Sequence, residues 1–140
     1  MRYIFIIVVK LHCLIFFSSR VCAQPILMGN EAVNFDNGRD VITDIRGNIY
    51  VTGNFLSDTL LMDSVILKNH GGYDMFIVKY NSIGKLLWAK NMGGGGDEKG
   101  LALAIDSKEN IFITGCFSSS FTYDTLAINN QGQWDMFIAK

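Results

Sequence analysis

The stretch GNIYVTGNF at positions 47–55 returns as ENIFITGCF at positions 109–117, an offset of 62 residues. A second stretch, YDMFIVK at 73–79, returns as WDMFIAK at 134–140, an offset of 61. Two blocks that recur in the same order at nearly one spacing are the signature of a repeat architecture. Positions 48–55 read as a strand because β-branched and aromatic residues dominate them. Ile49, Val51, Gly53 and Phe55 fall on one face, and Tyr50, Thr52 and Asn54 on the other. Positions 110–117 read in the same way.

Working outward, positions 75–80 and 86–92 are further strands, joined by Asn81, Ser82, Ile83 and Gly84, which supply hairpin-turn chemistry. A short apolar segment at 100–106 has its counterpart 62 residues earlier at 38–44. The recurring order is a short strand ending at Asp44 or Asp106, a turn, the strand bearing Thr-Gly, a variable segment, the Asp-Met-Phe-Ile strand and the Trp88 strand. That order predicts a four-stranded antiparallel meander in each repeat of about 61 residues. The variable segment keeps register, since Asp63, Asn69 and Gly71 align with Asp124, Asn130 and Gly132. It is expected to add a fifth, outer strand around 65–67 and 126–128. Met75, Phe76, Ile77 and Val78 are apolar on both strand faces, so both sides of each sheet should be covered. With no long segment of helical period and a single proline, Pro25, the turns fall to glycine, asparagine and aspartate, and the chain reads as all-β.

Four motifs in this order resemble the SBBP-type β-propeller repeats of exported bacterial proteins. They are Gly-x-Ala-x-Ala-Ile-Asp, loosely read, at 100–106, Asn-Ile-Phe-Ile-Thr-Gly at 110–115, Asp-Met-Phe-Ile-Val-Lys at 74–79, and Leu-Trp-Ala-Lys at 87–90 followed by four glycines and Asp97. The resemblance covers nearly everything after the leader. It implies blades packed radially around a channel, and a glycine-rich loop at 93–96 without a ligand. It implies no activity, because propellers host binding, scaffolding and catalysis alike. The sequence holds one full repeat and most of a second, whereas repeat units bury their faces only against neighbours. A fragment of a longer protein, a truncated product and a unit that must assemble all fit. A strand cut inside its motif at Lys140 favours the fragment.

Twelve basic and thirteen acidic side chains leave the chain near neutral, so no global field selects nucleic acid or an anionic membrane. Positions 1–23 carry Arg2, an apolar run broken by Lys10 and His12, and a small-residue site at Val21, Cys22 and Ala23. They read as a secretory signal peptide cleaved after Ala23, leaving 24–140 as the repeat region. A membrane anchor is the alternative, but the interrupted run falls short of the roughly 20 apolar residues of a spanning helix. The residues before Cys22 do not form a lipobox. Cleavage would leave Cys116 as the lone cysteine, at the repeat position of Asn54, so it reads as packing.

Candidate chemistry is sparse. The glycine run at 93–96 lacks the Gly-Lys-Ser/Thr ending of a phosphate loop and reads as a flexible connection between blades. Asp44 with Asn48, and Asp106 with Asn110, read as turn formers, since a calcium loop needs more oxygens. Asp74 and Asp135 recur, as do Lys79 and Lys140, which points to structure, and the lysines are expected to reach solvent. Trp134 and Asp135 open a strand, so the pair is no WD signature. His70 is the single histidine left after cleavage, and one histidine with one cysteine cannot make a zinc site. Trp88, Phe76, Phe137, Phe55 and Phe117 are expected to fill the layers between blades, with an exposed platform for carbohydrate as the alternative.

No catalytic, cofactor-binding or metal-binding residue is assigned, and no cofactor is expected. The expected function is an exported, non-catalytic segment of a larger binding or scaffolding protein at the cell envelope or outside the cell. Its ligand would be a protein or a carbohydrate, not a nucleic acid, and no membrane span would remain after cleavage. A propeller-type polysaccharide lyase or glycosidase with its active site in other blades stays open. So does a module that self-associates through unpaired strand edges.

Overall fold

The computed structural model describes residues 35–140, so the leader read at 1–23 lies outside the described residues. Every regular element there is a strand. The first repeat comprises β1 (Asn37–Thr43), β2 (Ile49–Phe55), β3 (Thr59–Met62), β4 (Val65–Lys68), β5 (Asp74–Tyr80) and β6 (Leu86–Met92). The second comprises β7 (Glu98–Ile105), β8 (Ile111–Phe117), β9 (Phe121–Tyr123), β10 (Leu126–Ile128) and β11 (Asp135–Ala139). No helix of the described residues is long and apolar enough to cross a membrane.

β1, β2, β5 and β6 form a four-stranded antiparallel meander, the first blade. β7, β8 and β11 repeat its first three strands, with β11 at the sheet edge. The variable segment does not add a fifth strand to either sheet. β3 pairs only with β4, and β9 only with β10, as separate two-stranded hairpins. Two-residue turns close them, with Asp63 (φ 53°) and Asp124 (φ 55°) in the left-handed region that aspartate tolerates.

The Thr-Gly motif is explained by a bulge. β1 slips register between Gly38 and Asp40, and β7 does so between Gly100 and Ala102. The bulge presses the Asn37 carbonyl onto Gly53 and the Lys99 carbonyl onto Gly115, where any Cβ would collide with it. Across the strand pair, Phe76 lies opposite Gly53 and Phe137 opposite Gly115, each ring covering its glycine. The preceding threonine hydroxyls donate to the carbonyls of those same phenylalanines, Thr52 to Phe76 at 2.7 Å and Thr114 to Phe137 at 2.8 Å.

Two apolar layers result. Val51, Phe55, Phe76, Val78 and Tyr80 on one face of the first blade are roofed by Leu60, Met62 and Leu67 of its own hairpin. Tyr50 and Met75 on the opposite face, with half-buried Trp88 and Met92, meet Leu103 and Ile113 of the second blade, flanked by Phe137. Trp88 and Phe137 thus lie between blades as expected, whereas Phe55 and Phe76 do not. Phe117 stacks edge-on against Phe121 of the second hairpin, with ring centroids 5.6 Å apart. The hairpins supply the apolar cover that the sequence reading assigned to a neighbouring blade.

Candidate functional site

One rim of the two blades gathers the polar groups. Residues opposite the ends of β2 and β8 share it, since Phe55 pairs with Asp74, and Phe117 pairs with both Asp135 and Glu98. The turn before β5 is held by Asn69, whose side chain donates to the carbonyls of Phe55 and Gly72 and accepts from the Gly71 N–H. Asn130 repeats the Phe55 and Gly71 bonds, with Phe117 and Gly132. The connector at 93–97 lies against this turn. Gly72 N–H donates to the Gly96 carbonyl at 3.0 Å, and Tyr73 N–H donates to the Asp97 carboxylate at 3.1 Å. A Cβ on Gly71 would strike Gly94, and one on Gly93 would strike the Asp74 carboxylate. The glycine run is therefore a tightly packed joint and not a flexible connection. Its glycines are required for close approach, since none of them has positive φ.

Three acidic groups converge on this joint. Asp74 is fully buried; it accepts from the His70 N–H, contacts His70 Nδ1 at 2.6 Å and accepts from Asn91 Nδ2 at 2.9 Å. Glu98 is also fully buried, and its Oε2 accepts from Gly94 N–H at 2.8 Å while Oε1 has no hydrogen-bond partner among the described residues. Burial pushes the Glu98 carboxyl up to about 7; the negative charges of Asp74 and Asp97 add to the rise, and the Gly94 bond and His70 oppose it. The glutamate was missed by sequence reasoning, which treated it as loop. A signal existed, because Asp36 occupies the same repeat position and binds the Leu56 and Ser57 amides. His70 is half-exposed with its Nδ1 held by Asp74, whereas position 131 in the second repeat is a glutamine.

Beside the acids, Lys99 lies over two rings, Tyr73 at 5.1 Å and Trp134 at 4.5 Å from the ring centroids. Tyr73 and Trp134 are the same repeat position on successive blades. Trp134 is 46% exposed, so the Tyr73–Lys99–Trp134 stack forms an aromatic surface of this rim.

The remaining sequence candidates are placed as follows. Asp44 accepts from the amides of Arg46 and Asn48, from Asn48 Nδ2 and from the Tyr50 hydroxyl. Asp106 binds the Lys108 and Asn110 amides and Asn110 Nδ2 identically. Burial alone would raise the Asp44 carboxyl, but these bonds outweigh it and hold it below the ordinary range; at Asp106 the Asn110 bonds lead the same lowering. Both carboxylates are occupied with closing a turn. Asp135 accepts from Gln131 N–H as Asp74 does from His70. Lys79 covers the Tyr50 ring at 4.8 Å and Lys140 the Phe112 ring at 5.8 Å, one blade apart. Trp134 and Asp135 open β11, and Cys116 is half-buried within β8.

The chain is similar to an uncharacterized WD repeat-containing protein of Acanthamoeba polyphaga mimivirus, with 30% identity over 105 residues. The match takes in 63% of this chain and 8% of that much longer protein. No family model matches. The likeness to a WD repeat-containing protein agrees with the antiparallel meanders and their side-by-side packing. The chain is built of β-propeller-type blades. Successive blades are joined by Arg46 and Glu109, whose carboxylate takes a two-bond contact at 2.6 and 2.7 Å, and by Leu103 N–H on the Asp40 carboxylate at 2.7 Å. Gly100 admits the Thr52 hydroxyl at closest approach.

Proposed function

We propose that the chain is a non-catalytic binding or scaffolding segment of an exported β-propeller of the SBBP type. The observation that supports it is the division of labour between shared and unshared residues. What the two repeats share, including the Thr-Gly-Phe clamp, the Asp-Asn turns and the Asn69 and Asn130 brackets, is spent on building blades. What they do not share, His70 against Gln131 and Tyr73 against Trp134, gathers on the connector rim. A surface that varies on a repeated frame is how a scaffold presents recognition. The ligand class is a protein or a carbohydrate, and the exposed tryptophan beside a lysine suits either.

The test is an array of glycans and envelope proteins probed with protein recovered from the medium or envelope of the native cell, with product release followed in parallel. Binding without turnover, by a mature chain starting at Gln24, is expected. An intracellular chain that retains positions 1–23 would refute export. Turnover would favour the second reading, a propeller-type hydrolase or lyase, for which the Asp74-oriented His70 is the specific observation.

A further inference from the structure

The edge of the second blade carries a site that its own repeat defines. Between the blades runs an apolar groove of about 580 Å³, lined by Met75, Ile77, Trp88 and Met92 from the first blade and by Ile113 and Ala139 from the second. Along it lies the edge of β11 that is not paired with β8. In the first blade the equivalent edge, that of β5, is covered by β6, with Met75 opposite Met92, Phe76 opposite Asn91, Ile77 opposite Lys90, Val78 opposite Ala89 and Lys79 opposite Trp88. The half-buried Leu86 and Ala89 of β6 pack on the apolar face there.

We propose that this groove is a docking site for an antiparallel β-strand of the β6 type, a strand with the pattern Leu-Leu-Trp-Ala-Lys-Asn-Met. This deepens the blade-based reading given above and rests on it. The 61-residue offset fixes the register: the incoming methionine faces Met136, the asparagine Phe137, the lysine Ile138, the alanine Ala139 and the tryptophan Lys140. Main-chain bonds to the open edge supply affinity, and side chains that alternate into the groove supply choice.

A polar feature makes the choice specific. Asn91 of β6 donates both to the Asp74 carboxylate at 2.9 Å and to the Lys68 carbonyl at 2.7 Å, fastening its strand to the hairpin. Asp135 keeps the turn bond from Gln131 but has no such asparagine beside it among the described residues. The asparagine of a docked strand would meet Asp135 and the carbonyl of Asn129, the repeat positions of Asp74 and Lys68.

The experiment titrates the full chain into a fluorescein-labelled peptide, acetyl-Gly-Lys-Leu-Leu-Trp-Ala-Lys-Asn-Met-Gly-amide, and reads anisotropy. Saturable one-to-one binding is expected. Asparagine to alanine in the peptide should weaken it about tenfold, the loss of one hydrogen bond to a charged group. N-methylation of alternate peptide amides should abolish it without changing the apolar pattern. Equal binding by the N-methylated or a scrambled peptide would reduce the groove to a sticky surface and overturn the proposal, as would no binding at millimolar peptide. A dimer in sedimentation that the peptide does not dissolve would mean that a second copy fills the groove, and would overturn the proposal as well. Circular dichroism on the same samples separates the two readings. An intact β-sheet spectrum with no binding overturns only the docking site, whereas loss of that spectrum would strike the blade reading too.

Discussion

Gly53 and Glu109 show how much of this fold is decided at single backbone positions. At Gly53 a methyl group would meet the Asn37 carbonyl and the Phe76 ring together, and neither can retreat, since one is bulge backbone and the other a fully buried side chain. Gly53→Ala should therefore cost about 3 kcal/mol, the upper range for forcing extra volume into a packed site, measured by urea denaturation. Glu109 presents the opposite case. It stands where the first repeat has Gly47, and both are left-handed, with φ 63° and 78°. A non-glycine residue there costs roughly 1–2 kcal/mol, while an exposed ion pair such as Arg46–Glu109 returns about 0–1 kcal/mol. Glu109→Gly should then raise stability by under about 1 kcal/mol at low salt. The gain should widen in molar salt, where screening removes the ion pair that the variant gives up. A gap that narrows with salt would show that the ion pair outweighs the strain.

At the scale of elements, the hairpins β3–β4 and β9–β10 are the main departure from what the sequence makes legible. The meander itself was readable, because Asn81 and Gly84 mark a turn and the Thr-Gly strand recurs; Asn81 indeed accepts from the Ile83 and Lys85 amides, and Gly84 has φ 82°. The hairpin was not, because the alternation in Thr59–Met62 and Val65–Lys68 is the same whether a strand extends a sheet or folds over its face. Asp63-Ser64 was the available clue, a two-residue turn joining two short strands. The burial of Glu98 and the orientation of His70 were illegible for another reason. Both are made by residues far along the chain or by a turn whose geometry no periodicity encodes. If the hairpin is the roof of the first core, Leu60→Ala should cost about 3 kcal/mol, as for other buried leucines. Leu61→Ser on its exposed side should stay within about 0.5 kcal/mol. Equal effects from the two in thermal melts would mean the hairpin does not cover the sheet.

For the molecule as a whole, the joint between blades is where proton binding and assembly meet. Glu98 is buried beside Asp74 and Asp97, and its carboxyl is raised from an ordinary 4.5 to about 7. A raised acid binds its proton more tightly in the folded chain than in the unfolded one, so its contribution is complete below about pH 4.5 and is lost as pH rises through about 7. The groups that face it are His70 and Asp74 from the turn and β5, and Asp97 from the connector. Above pH 7 an ionised Glu98 would sit without a partner for Oε1, against two other carboxylates, at the covalent link between the blades. Stability should therefore fall between about pH 5 and pH 8, and Glu98→Gln, which keeps an acceptor for Gly94 and cannot ionise, should flatten that slope. At pH 8 the variant should exceed the natural chain by roughly 2 kcal/mol, and at pH 5 the two should lie close together. The check is a pair of urea titrations across that range. A natural chain as stable at pH 8 as at pH 5 would place a counter-charge or water on Oε1. A slope that survives in Glu98→Gln would instead assign the proton to His70. Because Glu98 N–H also bonds the Tyr73 carbonyl, the same titration watched through Tyr73 and Trp134 fluorescence should report the joint loosening over the same interval, before either blade unfolds.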